Sequence, residues 1–499
     1  MKNKIKKIFE LDNIMYILSI ILLAFTCIDK SFENDFFFDA KTGESILKYG
    51  VDFKDHFSFI PNLKYLYHHW LYDVFINFIY SNFSYLGVFI FFLLVFITFL
   101  LIYYSICKKI TSSKLLSFII TVITIVGTKY AFQIRVQSIT YILFLLELIY
   151  LEKIYKGNKK YLLLILINSI LIVNLHMPLW ILTIVLSLPF LAESLLCFVS
   201  EKNKKIKSLI NKYINLEKPK SYNLIIYSFV ILIVSGIISP HGLNTYTFFV
   251  KVLMTNGYDV LRIGELYKIQ LFDCYYELFL LVIFIIGIYI KKLNIKLRDF
   301  LLLLGIFIFS LMAIRNIAYF LFIAPLVLLR SYDGKFNLNI KFINKIISKI
   351  NIKLLECFII VCVIIMMFAG IKTINLVSFD FYINNDYPVE EVKYIKENLD
   401  YKNIRLYNEF NFGSYLEFCD IPVFVDSRAE VFIKEFNGGK DIVSDYSNIS
   451  KFEKHKEAFD KYNFDYALVY NGNILDSILK NYNYEEVHRS NNYVLYKIN

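Results

Sequence analysis

The segment from residue 29 to residue 70 reads DKSFENDFFFDAKTGESILKYGVDFKDHFSFIPNLKYLYHHW, and it separates the first two long apolar runs of the chain. It contains seven acidic residues and three of the chain's seven histidines, so it is too charged for the interior of a membrane. Loops longer than about 12–15 residues are usually functional or disordered, and the aromatic content argues against disorder. We therefore predict that this segment is a catalytic loop.

The composition indicates a polytopic membrane protein. The 499 residues are 57% hydrophobic and 19% charged, with a mean hydropathy of +0.52, whereas a soluble domain is nearer one quarter charged. The net charge of +11 could suggest nucleic-acid binding, but the lysines concentrate in loops between apolar runs, as in membrane proteins. The seven cysteines are scattered and form no CxxC motif, so neither a zinc site nor a disulfide framework is predicted.

Eleven apolar runs are long enough to cross, or nearly cross, a bilayer core. They are residues 14–28, 84–106, 115–129, 137–151, 161–176, 178–198, 223–239, 276–290, 299–314, 316–329 and 354–373. The prediction is a polytopic α-helical membrane bundle of about eleven transmembrane helices.

Basic segments fall on alternate loops of this arrangement, which predicts the orientation. Lysine and arginine mark the cytoplasmic side of membrane proteins, so the N-terminus is predicted inside and everything after residue 373 outside. The lysines before Ile14 and the apolar run Ile14–Ile28 resemble a signal peptide, but Phe25-Thr26-Cys27 is a poor cleavage site. An uncleaved signal anchor is predicted.

Residues 374–499 have a different character and predict a small extracytoplasmic α/β domain, set apart from a transmembrane domain over residues 1–373. Apolar residues at helical spacing indicate a helix over 389–399, and a second helix is predicted over 444–461. Short strands and a hairpin complete the domain, and these are predicted at 403–407, 422–426, 466–470 and 485–496.

Two arginines at the outer ends of apolar runs, Arg135 and Arg315, are candidates for binding a phosphate group, because guanidinium forms paired charge-assisted hydrogen bonds with it. The alternative is a salt bridge to Glu265 or to an acid of the loop. His176 and His241 each end an outward-going helix and could also contact a donor phosphate, although satisfied interfacial histidines are common.

Asp39 is the preferred general base, because the preceding run Phe36–Phe38 would lower local polarity and raise its pKa. The alternative is that Asp39 only caps a short helix over 41–48 that ends at Gly50. Asp35 and Asp55 are the reserve candidates.

Further polar residues gather on the predicted external face and are candidate substrate contacts, namely Glu265, His68, His69, Trp70 and Asn316. His68 and His69 would point in opposite directions in an extended chain. No metal-ligating residue is therefore assigned, although a divalent metal is left open.

This layout resembles the GT-C class of membrane glycosyltransferases, which includes protein mannosyltransferases, oligosaccharyltransferases and lipid A aminoarabinose transferases. Phe38–Leu47 is similar to the acidic motif of that class, and Tyr67–Leu71 to the aromatic segment before the second helix. The chain is most similar to uncharacterised bacterial members of the class. The shared positions are Asp39, Gly43, Ile46, Leu47, Gly50, Asn174, His176, Arg315, Asn316, Asn408–Leu416 and Asp426–Arg428. The chain departs from better-known members in lacking an adjacent acidic pair, since Ala40 follows Asp39.

The resemblance implies transfer of a sugar from a polyprenyl-phosphate carrier to an acceptor (a cell-envelope glycan, lipid or protein) outside the bacterial cytoplasmic membrane, with inversion at the anomeric carbon. Asp39 would deprotonate the acceptor and Arg315 or Arg135 would hold the leaving phosphate. Asp426 and Arg428 would form a structural ion pair, the alternative being that they contact the substrate.

Two alternatives come from other classes of protein. A transporter or flippase of lipid-linked glycans would place charges or helix breaks near the middles of its helices, which here are almost uniformly apolar. A catalytically inactive scaffold for envelope assembly would share most of the sequence features. The enzyme is distinguished from the inactive scaffold by whether Asp39 and either arginine line one external cavity.

Overall fold

The computed structural model describes residues 2–28, 32–203, 215–255, 257–261, 263–266, 295–331, 387–449 and 454–499. Two predicted apolar runs, 276–290 and 354–373, and the predicted domain boundary at 373 lie outside these residues. The other nine runs all coincide with helices, as expected from their uninterrupted apolar sequence.

Twelve helices precede residue 332 in the described part of the chain. They are α1 Lys2–Cys27, α2 Asn34–Tyr49, α3 Trp70–Thr111, α4 Lys114–Thr128, α5 Val136–Tyr155, α6 Tyr161–Leu175, α7 Met177–Lys202, α8 Tyr222–Ser235, α9 Asn244–Met254, α10 Gly257–Val260, α11 Leu297–Met312 and α12 Ile317–Ser331. Short 3-10 turns occupy Lys129–Ala131, Gly264–Leu266 and Ile314–Asn316.

Three stretches, Trp70–Thr111, Met177–Lys202 and Ile314–Ser331, are long and apolar enough to cross a membrane. Four shorter apolar helices accompany them, at Ile14–Cys27, Lys114–Thr128, Tyr161–Leu175 and Tyr222–Ser235. The described residues thus have the composition of a membrane-associated helical protein. They do not show eleven spans, and that number and the orientation stay predictions.

Helix α3 consists of two helical parts joined at Ser84, whose φ of 54° lies in the left-handed region. The break coincides with the start of the predicted run 84–106. The part before Ser84 carries Asp73 and packs against α2, whereas the part after it is the apolar span.

The helical bundle is fastened internally by small polar side chains. The hydroxyls of Ser169 on α6 and Ser235 on α8 are 2.6 Å apart, and the Trp180 indole N–H on α7 donates to both. Gly236 leaves the space that Trp180 fills, since a Cβ there would lie 2.4 Å from the ring. Such contacts let three helices approach closely in an apolar setting.

A second contact, made by charged side chains, joins α5, α7, α11 and α12. Arg298 is 2.7 Å from Glu193, 2.8 Å from Glu217 and 3.2 Å from Glu152, and its own side chain is 3% exposed. Arg330 adds an ion pair with Glu152 at 2.6 Å. We call these five residues the Arg298 cluster.

The C-terminal region contains a four-stranded sheet in the order β1-β2-β4-β3. Its strands are β1 Leu406–Asn408, β2 Tyr466–Tyr470, β3 Glu485–Arg489 and β4 Tyr493–Lys497, and its helices are α13 Val389–Asn398, α14 Phe410–Phe418, α15 Ala429–Phe432, α16 Lys434–Asn437, α17 Ile442–Ile449, α18 Lys454–Tyr462 and α19 Ile474–Asn481. β1 and β2 are parallel, whereas β4 is antiparallel to β2 and β3.

Most of the predicted elements of this region are present. The helix at 389–399, the strand at 466–470 and the hairpin at 485–496 are confirmed. The helix predicted over 444–461 is instead two helices, α17 and α18. The strand predicted over 422–426 is wrong, because Val423 forms only an isolated bridge to Ser58 of the first loop.

The C-terminal region packs directly on the first loop. The Phe37 ring of α2 contacts the rings of Tyr387, Tyr415 and Phe418 at centroid distances of 4.8, 5.2 and 5.3 Å. The backbone N–H of Val423 donates to the carbonyl of Phe57 at 3.1 Å. The sheet region and the loop therefore form one continuous core.

Candidate functional site

Helix α2 begins at Asn34, seven residues earlier than predicted, and ends before Gly50, whose φ is 76°. The end is therefore confirmed, and the start is wrong. Asp39 lies inside the helix rather than at its N-cap, so the capping role weighed for it does not apply. The helix extends further because Phe36 and Phe37 bury their rings in the core, which stabilises the two additional turns.

Gly43 sets the separation between α2 and α3. A Cβ at this position would lie 2.1 Å from the backbone oxygen of Asp73 and 2.6 Å from the Cβ of Asn77. Only glycine permits so close an approach. Asp39 lies one turn before Gly43 on the same face of α2, so this contact brings Asp39 beside Asp73.

Asp39, His69 and Asp73 form a compact buried group, which we call the Asp39 cluster. One ligand atom from each lies within 4.8 Å of the others, and His69 Nδ1 is 3.6 Å from Asp39 Oδ1. Asp39 is 1% exposed and Asp73 is fully buried. The His69 side chain, at 12%, is the most exposed member.

Several polar atoms of this cluster have no hydrogen-bond partner among the described residues. These are Asp39 Oδ1, both carboxylate oxygens of Asp73 and His69 Nδ1. Buried polar atoms are almost always paired, and each exception calls for an explanation. Two ionised carboxylates can only accept, so a hydrogen bond between Asp39 and Asp73 requires one shared proton. A shared proton, a bound cation or an ordered water molecule would each supply a partner for these atoms.

Burial, and secondarily the negative charge of Asp35, holds the pKa of Asp39 well above its ordinary range. Burial also lowers the pKa of His69 to about 3, with the positive charge of Arg315 adding to the shift. At neutral pH the imidazole is therefore uncharged and presents a lone pair. The cluster combines a proton-holding carboxyl with a neutral acceptor.

The rings of two further histidines contact the ring of His69. Its ring centroid lies 4.2 Å from that of His68 and 4.9 Å from that of His176. His176 Nδ1 is 2.9 Å from the Thr140 hydroxyl, and burial lowers the pKa of His68 to about 3. His241 has its ring contact elsewhere, edge-on to Phe53 at 5.7 Å, but it lies near enough to His68 to contribute to the lowered pKa of that ring. Three of the predicted histidines are thus in ring contact, and the fourth lies close to one of them.

Arg135 is surrounded by acids, as in the alternative weighed for it. Its guanidinium pairs with Glu33, with Asp35 at 3.2 Å and with Glu265 at 2.6 Å. The charge of Arg135 is thereby compensated within the protein, and the three acids together outweigh it. The predicted site residues Arg135, Asp35 and Glu265 thus belong to an ion cluster at the start of α2.

Arg315 is exposed and forms no ion pair with the part of the chain that the structure describes. Its charge acts on Asp35 as well as on His68, His69 and His176. Arg315 is therefore an exposed cation that could bind an anion, and its charge reaches the three histidines. It is better placed than Arg135 to meet an anion.

The remaining predicted site residues have structural partners. The Trp70 indole N–H donates to Asn174 Oδ1 at 3.0 Å, and the Asn316 amide donates to the Phe309 carbonyl at 3.1 Å. Asp55 is 2.6 Å from Arg428, which joins it to the C-terminal region rather than to Asp39. None of these contacts tests a role in substrate binding.

The predicted ion pair between Asp426 and Arg428 is present, with oxygen and nitrogen 2.5 Å apart. Arg428 is also 3.2 Å from Glu417, and it lies over the rings of Phe57 and Tyr65. The guanidinium is thus buried at the junction between the first loop and the sheet region.

Asp73 was not predicted, because the sequence between Trp70 and the run 84–106 was left unassigned. One signal was available. Asp73 follows His69 by four residues, which places both on one helical face if a helix starts near Trp70.

No family model and no curated protein matches this chain.

Proposed function

We propose that the protein is a membrane glycosyltransferase that moves a sugar from a polyprenyl-phosphate donor to an acceptor outside the cytoplasmic membrane. The observation that supports this proposal is the Asp39 cluster, a buried pair of carboxyl groups beside an imidazole, together with Arg315, a cation that forms no ion pair with any described residue and whose charge acts on His69. A base and an anion-binding group are the two elements that such a transfer needs.

In this mechanism the acceptor hydroxyl approaches along His69, the most exposed member of the cluster. With the shared proton on Asp73, the ionised Asp39 carboxylate takes the hydroxyl proton while the acceptor oxygen forms a bond to the anomeric carbon. The bond from that carbon to the phosphate oxygen breaks, and the phosphate leaves with the electron pair. Arg315 stabilises the departing negative charge, and the direct displacement inverts the anomeric carbon.

A divalent cation fits the same group, because Asp39, His69 and Asp73 offer carboxylate and imidazole ligand atoms within 4.8 Å of one another. These residues would hold the ion, and the ion would supply Lewis-acid stabilisation of an oxyanion. A bound cation and a shared proton account equally well for the unpartnered oxygen atoms of Asp39 and Asp73.

The test is the turnover of a lipid-linked sugar by the full chain in lipid nanodiscs. Loss of a general base slows catalysis by about 10²–10⁴-fold, so Asp39→Asn should show that loss. Glu44→Gln is the matched control, since Glu44 lies on the same helix with its side chain 63% exposed. Equal turnover in the two variants would remove Asp39 from the mechanism.

The same assay addresses the competing classes. An inactive scaffold would give no turnover in the wild-type protein with any donor and acceptor. A flippase would move the lipid-linked sugar across the bilayer without cleaving it. Glu147 and Glu193 are fully buried acids within α5 and α7, so the composition of the helices does not exclude a flippase, and the assay decides between the two.

A further inference from the structure

Helix α2 carries two buried hydroxyl groups next to the Asp39 cluster. Thr42 and Ser45, which we call the hydroxyl row, follow Asp39 at intervals of three residues and are buried. Neither hydroxyl has a hydrogen-bond partner among the described residues, and neither does Asp39 Oδ1. Three successive positions of one helical ridge therefore hold buried polar atoms that the described part of the chain does not pair.

The hydroxyl row differs from other buried hydroxyls in the helices of this protein. The Thr183 hydroxyl on α7 and the Ser228 hydroxyl on α8 each donate to a carbonyl of their own helix at 2.8 Å. Such a bond satisfies a helical hydroxyl without any outside partner. Thr42 and Ser45 do not form it, so their hydroxyls remain available to water, which commonly pairs buried polar atoms that the protein leaves unsatisfied.

The spacing of the ridge suits bridging water molecules. Side chains three residues apart on a helix have their Cβ atoms about 5–6 Å apart. Two hydrogen bonds of about 2.8 Å in series span the same distance, so one water molecule between successive side chains would connect Asp39, Thr42 and Ser45. Water chains of this kind transfer protons in enzymes.

The hydroxyl row ends at a cavity between α2 and the C-terminal region. The cavity has a volume of about 420 Å³, and Ser45 lines it together with Glu417 and Asp420. A cavity needs only about 10–15 Å³ of such volume to hold a water molecule. Asp420 is exposed, so the cavity is in contact with solvent.

Glu417 offers a proton-accepting group in the wall of this cavity. Its carboxylate is buried and lies 3.2 Å from Arg428 Nε, but neither of its oxygen atoms has a hydrogen-bond partner among the described residues. Burial raises the pKa of this carboxyl well above its usual range, with the positive charge of Arg428 opposing the shift. Unpaired carboxyl oxygens thus lie at both ends of the hydroxyl row.

Tyr65 lies beside the hydroxyl row. The guanidinium carbon of Arg428 is 5.0 Å from the centre of the Tyr65 ring. Burial, and secondarily the negative charge of Asp73, raises the pKa of the Tyr65 hydroxyl, and Thr42 is close enough to influence it. A further polar group therefore lies between the Asp39 cluster and the cavity.

The proposed reaction requires an exit for a proton. When the Asp39 carboxylate takes the acceptor's proton beside a carboxyl that already holds one, Asp39 and Asp73 carry two protons after each transfer. One of them must leave before Asp39 can act as a base again. Both side chains are buried, so neither can release a proton directly to solvent.

We propose that the hydroxyl row, through bridging water molecules, carries protons between the Asp39 cluster and the cavity beside Glu417. As the exit for the acceptor's proton, this route rests on the proposed function. As a route of proton exchange for Asp39 and Asp73 it does not, so the two can fail separately. The competing exit is His69, the most exposed member of the cluster.

The experiment measures hydrogen–deuterium exchange of the proton shared by Asp39 and Asp73. Infrared spectra are recorded on the full chain in lipid nanodiscs, with EDTA present to keep the cluster free of divalent ions. The carboxylic acid band of the pair is identified as the one that Asp39→Asn removes. Its shift to lower frequency after transfer into D₂O gives the exchange rate, and this measurement needs no substrate.

The test variant is Thr42→Val/Ser45→Ala, which removes both hydroxyls with little change in shape. Exchange should slow by about tenfold or more, because each bridging water molecule loses a hydrogen-bond partner. Thr42→Ser keeps the hydroxyl and should exchange at the wild-type rate. Structural damage would open the site to solvent and accelerate exchange, so slower exchange cannot result from it.

The matched control is Thr183→Val/Ser228→Ala, which removes the same groups at positions where the hydroxyls bond their own helices. It should exchange at the wild-type rate. In turnover of a lipid-linked sugar, Thr42→Val/Ser45→Ala should be slower by about tenfold and show a larger solvent isotope effect, because proton release then limits the cycle.

Three results would overturn the inference. They are unchanged or faster exchange in Thr42→Val/Ser45→Ala, equal slowing in Thr42→Ser or in the control, and the absence of a carboxylic acid band that Asp39→Asn removes. Unchanged exchange would assign the exit to His69.

The two measurements together separate the route from the enzyme. Slower exchange in the test variant, without turnover by the wild-type protein, would tell against the enzyme alone. Turnover that requires Asp39, with unchanged exchange in the test variant, would tell against the hydroxyl row alone. Slower exchange with unchanged turnover would refute the part of the row in the reaction.

Discussion

The Arg298 cluster and the Asp39 cluster are both buried and both charged, but they differ in how their groups are paired. Each carboxylate of the Arg298 cluster faces at least one guanidinium. In the Asp39 cluster, Asp73 has no partner for either oxygen among the described residues. A fully paired buried cluster fastens helices together, whereas an incompletely paired one retains reactive capacity.

Substitutions in the two clusters should differ most in their effect on catalysis. Asp39→Asn should reduce turnover of a lipid-linked sugar by about 10²–10⁴-fold, whereas Arg298→Gln should change the rate per folded molecule little. The rate is measured with the folded fraction of each variant determined in parallel. A turnover lost equally in both variants would erase the distinction between the clusters.

The second difference should be in stability. Removing one member of a buried ion network leaves uncompensated charge and costs about 3–5 kcal/mol, so Arg298→Gln should lower the free energy of unfolding by that order. Lys160→Gln, at an exposed site, is the control and should have almost no effect. Unfolding in detergent or bicelles provides the measurement. A loss no larger than that of the control would show that the Arg298 cluster does not fasten the helices.

A smaller effect should follow from the spacing that builds the Asp39 cluster. Gly43→Ala would force a Cβ against the Asp73 backbone oxygen, and overpacking of this kind costs about 1–3 kcal/mol. Gly305→Ala is the matched control, because a Cβ there meets no atom within 4 Å and alanine favours a helix. The comparison is one of melting temperatures. Equal melting temperatures would contradict the close packing of α2 on α3.

The smallest effect is the pH dependence of stability. The pKa of Asp39 is raised by burial in the folded state, so the folded protein binds its proton more tightly than the unfolded chain does. Stability from this group therefore falls as the pH rises above about 4 towards the folded-state pKa. The melting temperature of wild type relative to Asp39→Asn should decline over that range. A difference that rises with pH would contradict the assignment.

The sequence predicts local features well, because they depend on neighbouring residues. Nine predicted apolar runs are helices, and the predicted end of α2 at Gly50 is correct. The predicted ion pair joins Arg428 to Asp426, two positions away in the sequence. What the sequence did not predict depends on distant partners. Helix α2 starts early because Phe37 packs on Tyr415, and residues 422–426 leave the sheet because Val423 pairs with the first loop.

The same difference between local and distant contacts explains why only part of the site was predicted. Asp39 and Arg315 stand out as charges beside apolar sequence, and their signal is local. The role of Asp73 depends on the contact of Gly43 with α3, which no periodicity reveals. Arg135 looked equally available in sequence, and only the approach of Glu33, Asp35 and Glu265 distinguishes it from Arg315.

The pair formed by Asp55 and Arg428 joins positions separated by 373 residues. During synthesis, the N-terminal part of the chain emerges long before its partner. The first loop must therefore wait, with the Asp55 carboxylate still hydrated, until nearly the whole polypeptide has been translated and inserted. Completion of the first loop is consequently a late event, and a ribosome that stops before codon 428 would release a chain whose loop lacks the Arg428 partner of Asp55.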